Sequence, residues 1–217
     1  MTSSSTHWDQ LHSNPRFRPQ YPNDHVVRFM LGSRALLEQG RARFLDIGVG
    51  AGRHCKLASD LGFETCGIDA SFVGLQHARQ RLGETVLLAR ASMLALPFPD
   101  ASFQVVLSFG VFYYGTAVEM NQAIAEAHRV LAPGCRALIV SRSVDDYRFG
   151  KGKELGRNTF QLEIADTNEF GTVGHFLHAG DIQPYFAAFS RVTFEKTETT
   201  TANRTRLDSD WLITVEK

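Results

Sequence analysis

Two acidic residues and three glycines carry the first chemical signal in this chain. Asp46-Ile47-Gly48-Val49-Gly50-Ala51-Gly52 joins a short apolar run to a segment in which Leu57, Ala58 and Leu61 recur at helical spacing. Glycines let a backbone turn sharply and approach a ligand closely. The N-terminus of the following helix adds free N–H groups and a positive dipole end. Asp69 ends a second apolar run roughly twenty residues on, where a carboxylate can hold ribose hydroxyls. A nucleotide-like ligand is therefore expected. The spacing separates the candidates. A dinucleotide fingerprint needs Gly-x-Gly-x-x-Gly, but position 53 is Arg and the third glycine arrives one residue early, at Gly52. No Gly-Lys-Ser/Thr follows, so the loop is not a P-loop.

A second block reads Leu96-Pro97-Phe98-Pro99-Asp100-Ala101-Ser102-Phe103-Gln104-Val105-Val106. The glycine loop, with an acid two residues before it, resembles motif I of class I methyltransferases. The second block resembles the stretch before strand four in their quinone-biosynthesis and tellurite-resistance types. The likeness is good over residues 44–140 and looser over the two last strands. It implies S-adenosylmethionine as cofactor and S-adenosylhomocysteine as product. It implies Asp46 and the Gly48 backbone at the methionine end, with Gly50 and Gly52 completing the loop. Asp69 would hold the ribose, and Ala70 and Ser71 would lie near the adenine. The residue four before Leu-Pro-Phe is usually Asp in that family and meets the adenine amino group. Here it is Ser92, whose hydroxyl accepts that bond more weakly than a carboxylate. Met93 is expected beside it, either in the site or as a core residue at a strand end.

Methyl transfer from a sulfonium needs a nucleophile held in line at about 3–3.5 Å, and orientation supplies much of the rate. A hydroxyl or protonated amine also needs a base. In an open α/β sheet the ligand crevice lies outside the carboxyl ends of the strands. This puts the residues after strand four at the reacting centre. Phe109 is expected at the cofactor and Phe112 at the substrate. Tyr113 and Tyr114 are candidate catalytic residues, one of them facing the pocket, the alternative being packing under a helix. Ser108-Phe109-Gly110-Val111 stands where methyltransferases acting on base amino groups carry Asp/Asn-Pro-Pro-Tyr/Phe, which disfavours adenine N6 chemistry. Cys135 follows Pro133-Gly134 in a turn, the wrong place for a cytosine C5 nucleophile. His175 is the candidate general base, and His178 a candidate for the substrate wall. The alternative is two solvated loop histidines. Arg18 and Tyr21 are further substrate candidates. Arg18 would pair with a carboxylate or serve as a plain surface arginine. Lys151, Lys153 and Arg157 either meet an anionic substrate or form a solvated face. No metal site is expected.

These residues need a scaffold, and the pattern predicts one. Short apolar runs at 43–47, 64–69, 86–91, 103–109 and 136–143 read as strands. They alternate with helices, the clearest carrying Met120, Ile124, Ala127 and Leu131, with Pro133-Gly134 as its stop. Residues 191–200 and 211–216 read as two more strands, paired antiparallel across a polar linker at 201–210. The prediction is a Rossmann-like, doubly wound α/β fold. Its seven-stranded sheet is mostly parallel, with an antiparallel C-terminal pair. One domain is expected over 1–217, with an irregular N-terminal arm at 1–22 and a lid-like insert of little periodicity at 144–178. Residues 24–37 read as a helix. A late helix carries Ile182, Tyr185, Phe186 and Phe189, with Asp181 as N-cap and Pro184 in its first turn.

Bulk properties narrow the function class. The 217 residues hold 23 Lys plus Arg against 23 Asp plus Glu, a net charge of zero. Nucleic-acid binders usually carry a basic surplus, so RNA is disfavoured unless Arg41, Arg43, Arg79, Arg81, Arg204 and Arg206 converge. Cys55, Cys66 and Cys135 are odd in number and widely spaced, which fits a reducing cytosol. No apolar run approaches the ~20 residues of a membrane helix, and the N-terminus lacks a signal peptide's apolar core. The expectation is a cytosolic methyltransferase acting on a small molecule. The alternatives are an RNA or protein methyltransferase, or a binder of the cofactor without catalysis.

Overall fold

The computed structural model describes residues 3–40, 42–165, 167 and 169–217. Arg41 therefore lies outside the described residues. The elements run α1 (Ser3–Ser13), α2 (Asp24–Gly32), α3 (Ala35–Glu38), β1 (Arg43–Ile47), α4 (Arg53–Asp60), β2 (Glu64–Asp69), α5 (Phe72–Leu82), β3 (Leu87–Arg90) and β4 (Phe103–Phe109). Then come α6 (Ala117–Val130), β5 (Leu131–Arg142), β6 (Gly152–Gly156), β7 (Thr159–Leu162), β8 (Val173–His175), α7 (Ala179–Tyr185), β9 (Arg191–Thr201) and β10 (Arg206–Glu216). Among the described residues no helix is long and apolar enough to cross a membrane.

Seven strands form one sheet in the order β3-β2-β1-β4-β5-β10-β9. The first five run parallel, and β10 pairs antiparallel with both β5 and β9. The strand order reverses direction between β1 and β4, which is where such sheets open a ligand crevice. Both faces are covered. Val105 and Leu107 of β4 pack with α2, α4 and α5, while Phe103 and Val106 pack with α6 and α7. Phe103 and Val106 share a face despite odd spacing because the register slips between Phe103 and Val105. α6 starts on a reciprocal cap, Thr116 with Glu119.

Several expectations need correcting. The N-terminal arm is not irregular through residue 13, because α1 docks on α5. Asp9 accepts from the Ser71 hydroxyl and the Val73 amide, so tertiary contacts supply what its weak apolar stripe does not. The 24–37 helix breaks at Ser33 into α2 and α3, where the Ser33 hydroxyl bonds back to the Phe29 carbonyl. α6 ends before Pro133-Gly134, and β5 begins at Leu131. The Gly134 amide there bonds the Lys217 carbonyl, tying the extended backbone to the C-terminus. The insert, for which no elements are expected from its weak periodicity, contains strands. β6, β7 and β8 form a three-stranded antiparallel sheet over Phe160, Leu162 and Phe176. The N-cap of α7 is His178, and Asp181 is its third residue, accepting from the His178 amide at 3.0 Å. Pro184 accordingly sits inside the helix rather than in its first turn. The 201–210 linker is mostly strand, since Arg206↔Thr201 already pair.

Candidate functional site

The loop after β1 is built around Asp69. The amides of Gly48 and Val49 donate to the Ile68 carbonyl at 2.8 and 2.9 Å, fastening the loop to the end of β2. Gly50 then turns with φ +52° and donates to Asp69 Oδ2 at 2.8 Å. The Ser71 amide donates to Asp69 Oδ1 at 2.8 Å. Gly48 has φ +81°, and a Cβ there would stand 2.3 Å from Val111 Cγ2 across the crevice. This position therefore requires glycine both for its backbone and for close approach. Burial pushes the Asp69 carboxyl up, opposed by these two amides and by the nearby His12.

Above the loop lies a cavity of about 670 Å³ at the carboxyl ends of β1, β2 and β4, a size suited to a cofactor-sized molecule. Of the expected cofactor residues, Gly48, Gly50, Asp69, Ala70, Ser92, Met93 and Phe109 line it. Three others stand behind the wall. Gly52 caps α4 and packs on Leu82 and Ala78. Ser71 caps α5 and faces Asp9. Asp46 is 1% exposed, and burial pushes its carboxyl up to about 7, Arg53 opposing and Asp69 reinforcing the shift.

The catalytic and substrate candidates divide. Tyr114 lines the cavity; Tyr113 does not. Tyr113 is buried with the Arg142 guanidinium 4.3 Å over its ring. Phe112 is fully buried in the core beneath α6. His175 is away from the cavity and 4% exposed. Thr159 Oγ1 lies 2.8 Å from its Nδ1 and the Tyr185 hydroxyl 2.8 Å from its Nε2. Both ring nitrogens thus have partners within the fold, and burial lowers the pKa of the ring. His178 caps α7 outside the cavity. Arg18 points at the His77 ring, 2.7 Å from Nε2. Tyr21 is 83% exposed, and its carbonyl accepts from Arg53 at 3.2 Å. Lys151, Lys153 and Arg157 are exposed, and Arg157 pairs with Asp181 at 3.1 Å.

Other lining residues carry chemistry that the sequence reading did not single out. Trp8 and His12 come from α1, Arg53 and His54 from α4, and Glu119 from α6. His54 directly follows the glycine loop and Arg53, a position that could have marked it. Burial, with Arg53 beside it, pushes its pKa down to about 3, so the ring is neutral. Trp8 and His12 had no such signal, because their place depends on how α1 docks.

Behind Tyr114 lies a buried ionic cluster. Arg142 pairs with Glu169 at 2.6 and 2.8 Å. The Tyr114 hydroxyl lies 3.3 Å from Glu169 Oε1, and Arg148 reaches Glu169 Oε2 at 3.0 Å. Glu169 belongs to the segment between β7 and β8, so the insert touches the site through it.

Comparison with known proteins agrees with this geometry. A methyltransferase domain model matches residues 45–139. A demethylmenaquinone methyltransferase of Thermus thermophilus is 34% identical over 110 residues, 48% of this chain and 49% of that protein. A probable tRNA methyltransferase 9B of Mus musculus is 36% identical over 95 residues, 43% of this chain and 20% of that protein. The chain spans about half the length of the microbial relatives that it matches. A methyltransferase structure from Methanosarcina mazei superposes with a TM-score of 0.68 at 20% identity, covering 82% of this chain and 92% of that one. Residues 45–139 thus resemble a methyltransferase domain, and the chain has the Rossmann-like fold of S-adenosylmethionine-dependent methyltransferases.

Proposed function

We propose that this protein binds S-adenosylmethionine in the strand-end cavity and transfers its methyl group to a small-molecule acceptor. The observation that carries the reading is the cradle itself. Gly48 and Gly50 leave room where a side chain would intrude, and Asp69 stands at the carboxyl end of β2. The cofactor supplies a methyl group on a sulfonium sulfur, reactive toward a nucleophile aligned behind it. Asp46 provides negative charge beneath the methionine end, Asp69 acceptors for ribose hydroxyls, and Ser92 a hydroxyl for the adenine edge. Ala70 and Met93 supply apolar contact there. Phe109, Val111 and Tyr114 continue the wall past β4, and Trp8 from α1 closes it against solvent. Exclusion of water strengthens each polar contact inside.

A small acceptor fits the neutral overall charge and a cavity covered by α1. Methylation of RNA is the competing reading, favoured by the tRNA methyltransferase relative. The test uses purified protein with methyl-labelled S-adenosylmethionine, supplied separately with a metabolite extract, total RNA and a protein extract. Label in the metabolite fraction alone is expected. Label in RNA or protein would overturn the small-molecule reading, and binding of the cofactor with no transfer to any pool would mark a non-catalytic binder.

A further inference from the structure

The acceptor side of the cavity has a chemistry of its own. Four acidic or arginine side chains line the cavity: Asp69, Arg53, Arg90 and Glu119. Three are spoken for. Asp69 receives the Gly50 and Ser71 amides, one on each oxygen. Arg53 donates to the Tyr21 carbonyl and Arg90 to the Ala70 carbonyl. Glu119 differs. The Thr116 amide at 2.7 Å and the Thr116 hydroxyl at 2.9 Å both land on its Oε2. Among the described residues nothing bonds its Oε1. One oxygen of this carboxylate thus starts α6, and the carboxylate as a whole belongs to the cavity wall.

Two aromatic residues line the same cavity, Trp8 and Tyr114. Tyr114 lies five residues before Glu119, across the Gly115 turn, where a Cβ on Gly115 would touch Glu119 Oε2 at 3.0 Å. Trp8 packs on Tyr114 edge-to-face, with ring centroids 4.6 Å apart. Arg142 approaches Tyr114 from the protein side, but Glu169 neutralises it in a bidentate pair. A carboxylate that lines the same cavity as two electron-rich rings in mutual contact attracts an organic cation by charge and by ring quadrupole together. Arg53 and Arg90, on the same cavity wall, each already donate to a backbone carbonyl, whereas Glu119 Oε1 has no such partner among the described residues.

We propose that Glu119, Trp8 and Tyr114 form a subsite for a positively charged amine on the methyl acceptor. The acceptor class is then a small organic amine. This rests on the methyltransferase reading above, because it assigns the acceptor side of the same cavity. Glu119 Oε1 receives the ammonium N–H, and the rings cover its methylene carbons. The subsite also accounts for α1 in functional terms, since Trp8 reaches the site only when α1 is docked.

The cofactor's own sulfonium is the other cation that could meet this carboxylate, and the experiment separates the two. Wild type and Glu119→Gln are compared by calorimetry. Glutamine keeps an acceptor for the Thr116 amide, so the start of α6 is preserved, and circular dichroism checks it. With S-adenosylhomocysteine bound, phenethylamine, tyramine and tryptamine are titrated against their neutral counterparts 2-phenylethanol, tyrosol and tryptophol. At least one amine is expected to bind wild type about ten-fold or more tighter than its alcohol, a preference lost in Glu119→Gln. Affinities for S-adenosylmethionine and S-adenosylhomocysteine should stay equal in the two proteins. Equal binding of amines and alcohols to wild type, or no binding of either, overturns the subsite. A Glu119→Gln loss confined to S-adenosylmethionine, with S-adenosylhomocysteine unaffected, also overturns it and assigns the carboxylate to the sulfonium. Failure of wild type to bind either cofactor form would instead sink the methyltransferase reading, whatever the amines do.

Discussion

Asp9 and Ser71 join the N-terminal helix α1 to the start of α5, beside the strand-end cavity. The Ser71 hydroxyl donates to Asp9 Oδ1 at 2.8 Å while also accepting the Gly74 amide as the N-cap of α5. Asp9 further accepts from the Val73 amide at 3.1 Å. A carboxylate is thus placed at a helix N-terminus, where the dipole favours it. These contacts and the nearby Arg90 hold the Asp9 carboxyl below its usual range against the effect of burial. Asp9→Ala should release α1 and take Trp8 and His12 away from the cavity. The direct loss is about 1 kcal/mol, typical of a helix cap. Limited proteolysis should show faster cleavage at residues 10–20, suppressed in wild type by cofactor. Unchanged cleavage would mean that α1 is held by packing alone.

Asp69 should matter most to cofactor affinity. Asp69→Ala removes a charged acceptor and frees the Gly50 and Ser71 amides that shape the loop. A weakening of roughly 1.5–3 kcal/mol is expected by calorimetry with S-adenosylhomocysteine. Affinity equal to wild type would exclude Asp69 from the ribose.

The Asp46 carboxyl gives a pH signature. Burial raises it to about 7, against about 3.9 in an unfolded chain. The folded state therefore binds this proton more tightly than the unfolded one. Its contribution to stability is complete below about pH 4 and is lost as pH rises through about 7. Without cofactor, wild type should lose more stability than Asp46→Asn between about pH 5 and about pH 8 in urea titrations. A bound ammonium group beside the ionised carboxylate reverses the sign. Cofactor affinity should then rise with pH for wild type and stay flat for the variant. Parallel stability curves would show that Asp46 is ionised throughout.

The sheet and the position of the glycine loop at the strand ends were readable because they rest on short-range rules. Apolar strands, glycines at a strand end and an acid at the next strand end lie close together in sequence. The partners of α1 and of the insert were not readable. Asp9 meets Ser71, and Arg142 meets Glu169, only after the chain has folded back on itself. His175 shows the same limit from the other side. Its residue type and position match a base, but its role depends on Thr159 and Tyr185.

His175→Ala should therefore act on the fold. Removing a buried ring leaves Thr159 and Tyr185 without a partner, at a cost of about 1–3 kcal/mol. Thermal denaturation should show that loss. Turnover per folded molecule, measured well below the transition, should stay near wild type, with an unchanged pH profile between about 6 and 8. A loss of turnover without a loss of stability would restore His175 as a base acting after rearrangement.

The Arg142–Glu169 pair offers the sharpest test of whether the insert serves the site. Arg142 is 5% exposed at its side chain and Glu169 6%. Breaking one side of a buried pair leaves an uncompensated charge, at a cost of about 3–5 kcal/mol. Glu169→Gln should be destabilised, though less than this, because Arg142 keeps an amide oxygen and Arg148 retains Asp146 and Asp208. The functional effect should run through Tyr114, whose hydroxyl meets Glu169 and whose ring lines the cavity. A looser Tyr114 should raise KM for the acceptor while cofactor affinity stays the same. Tyr114→Phe should reproduce part of that change, and Glu169→Gln should add little on top of it, since the two act as one unit. Additive effects on KM would mean that Glu169 supports only the insert, and that the 144–178 segment is a structural annex rather than part of the acceptor wall.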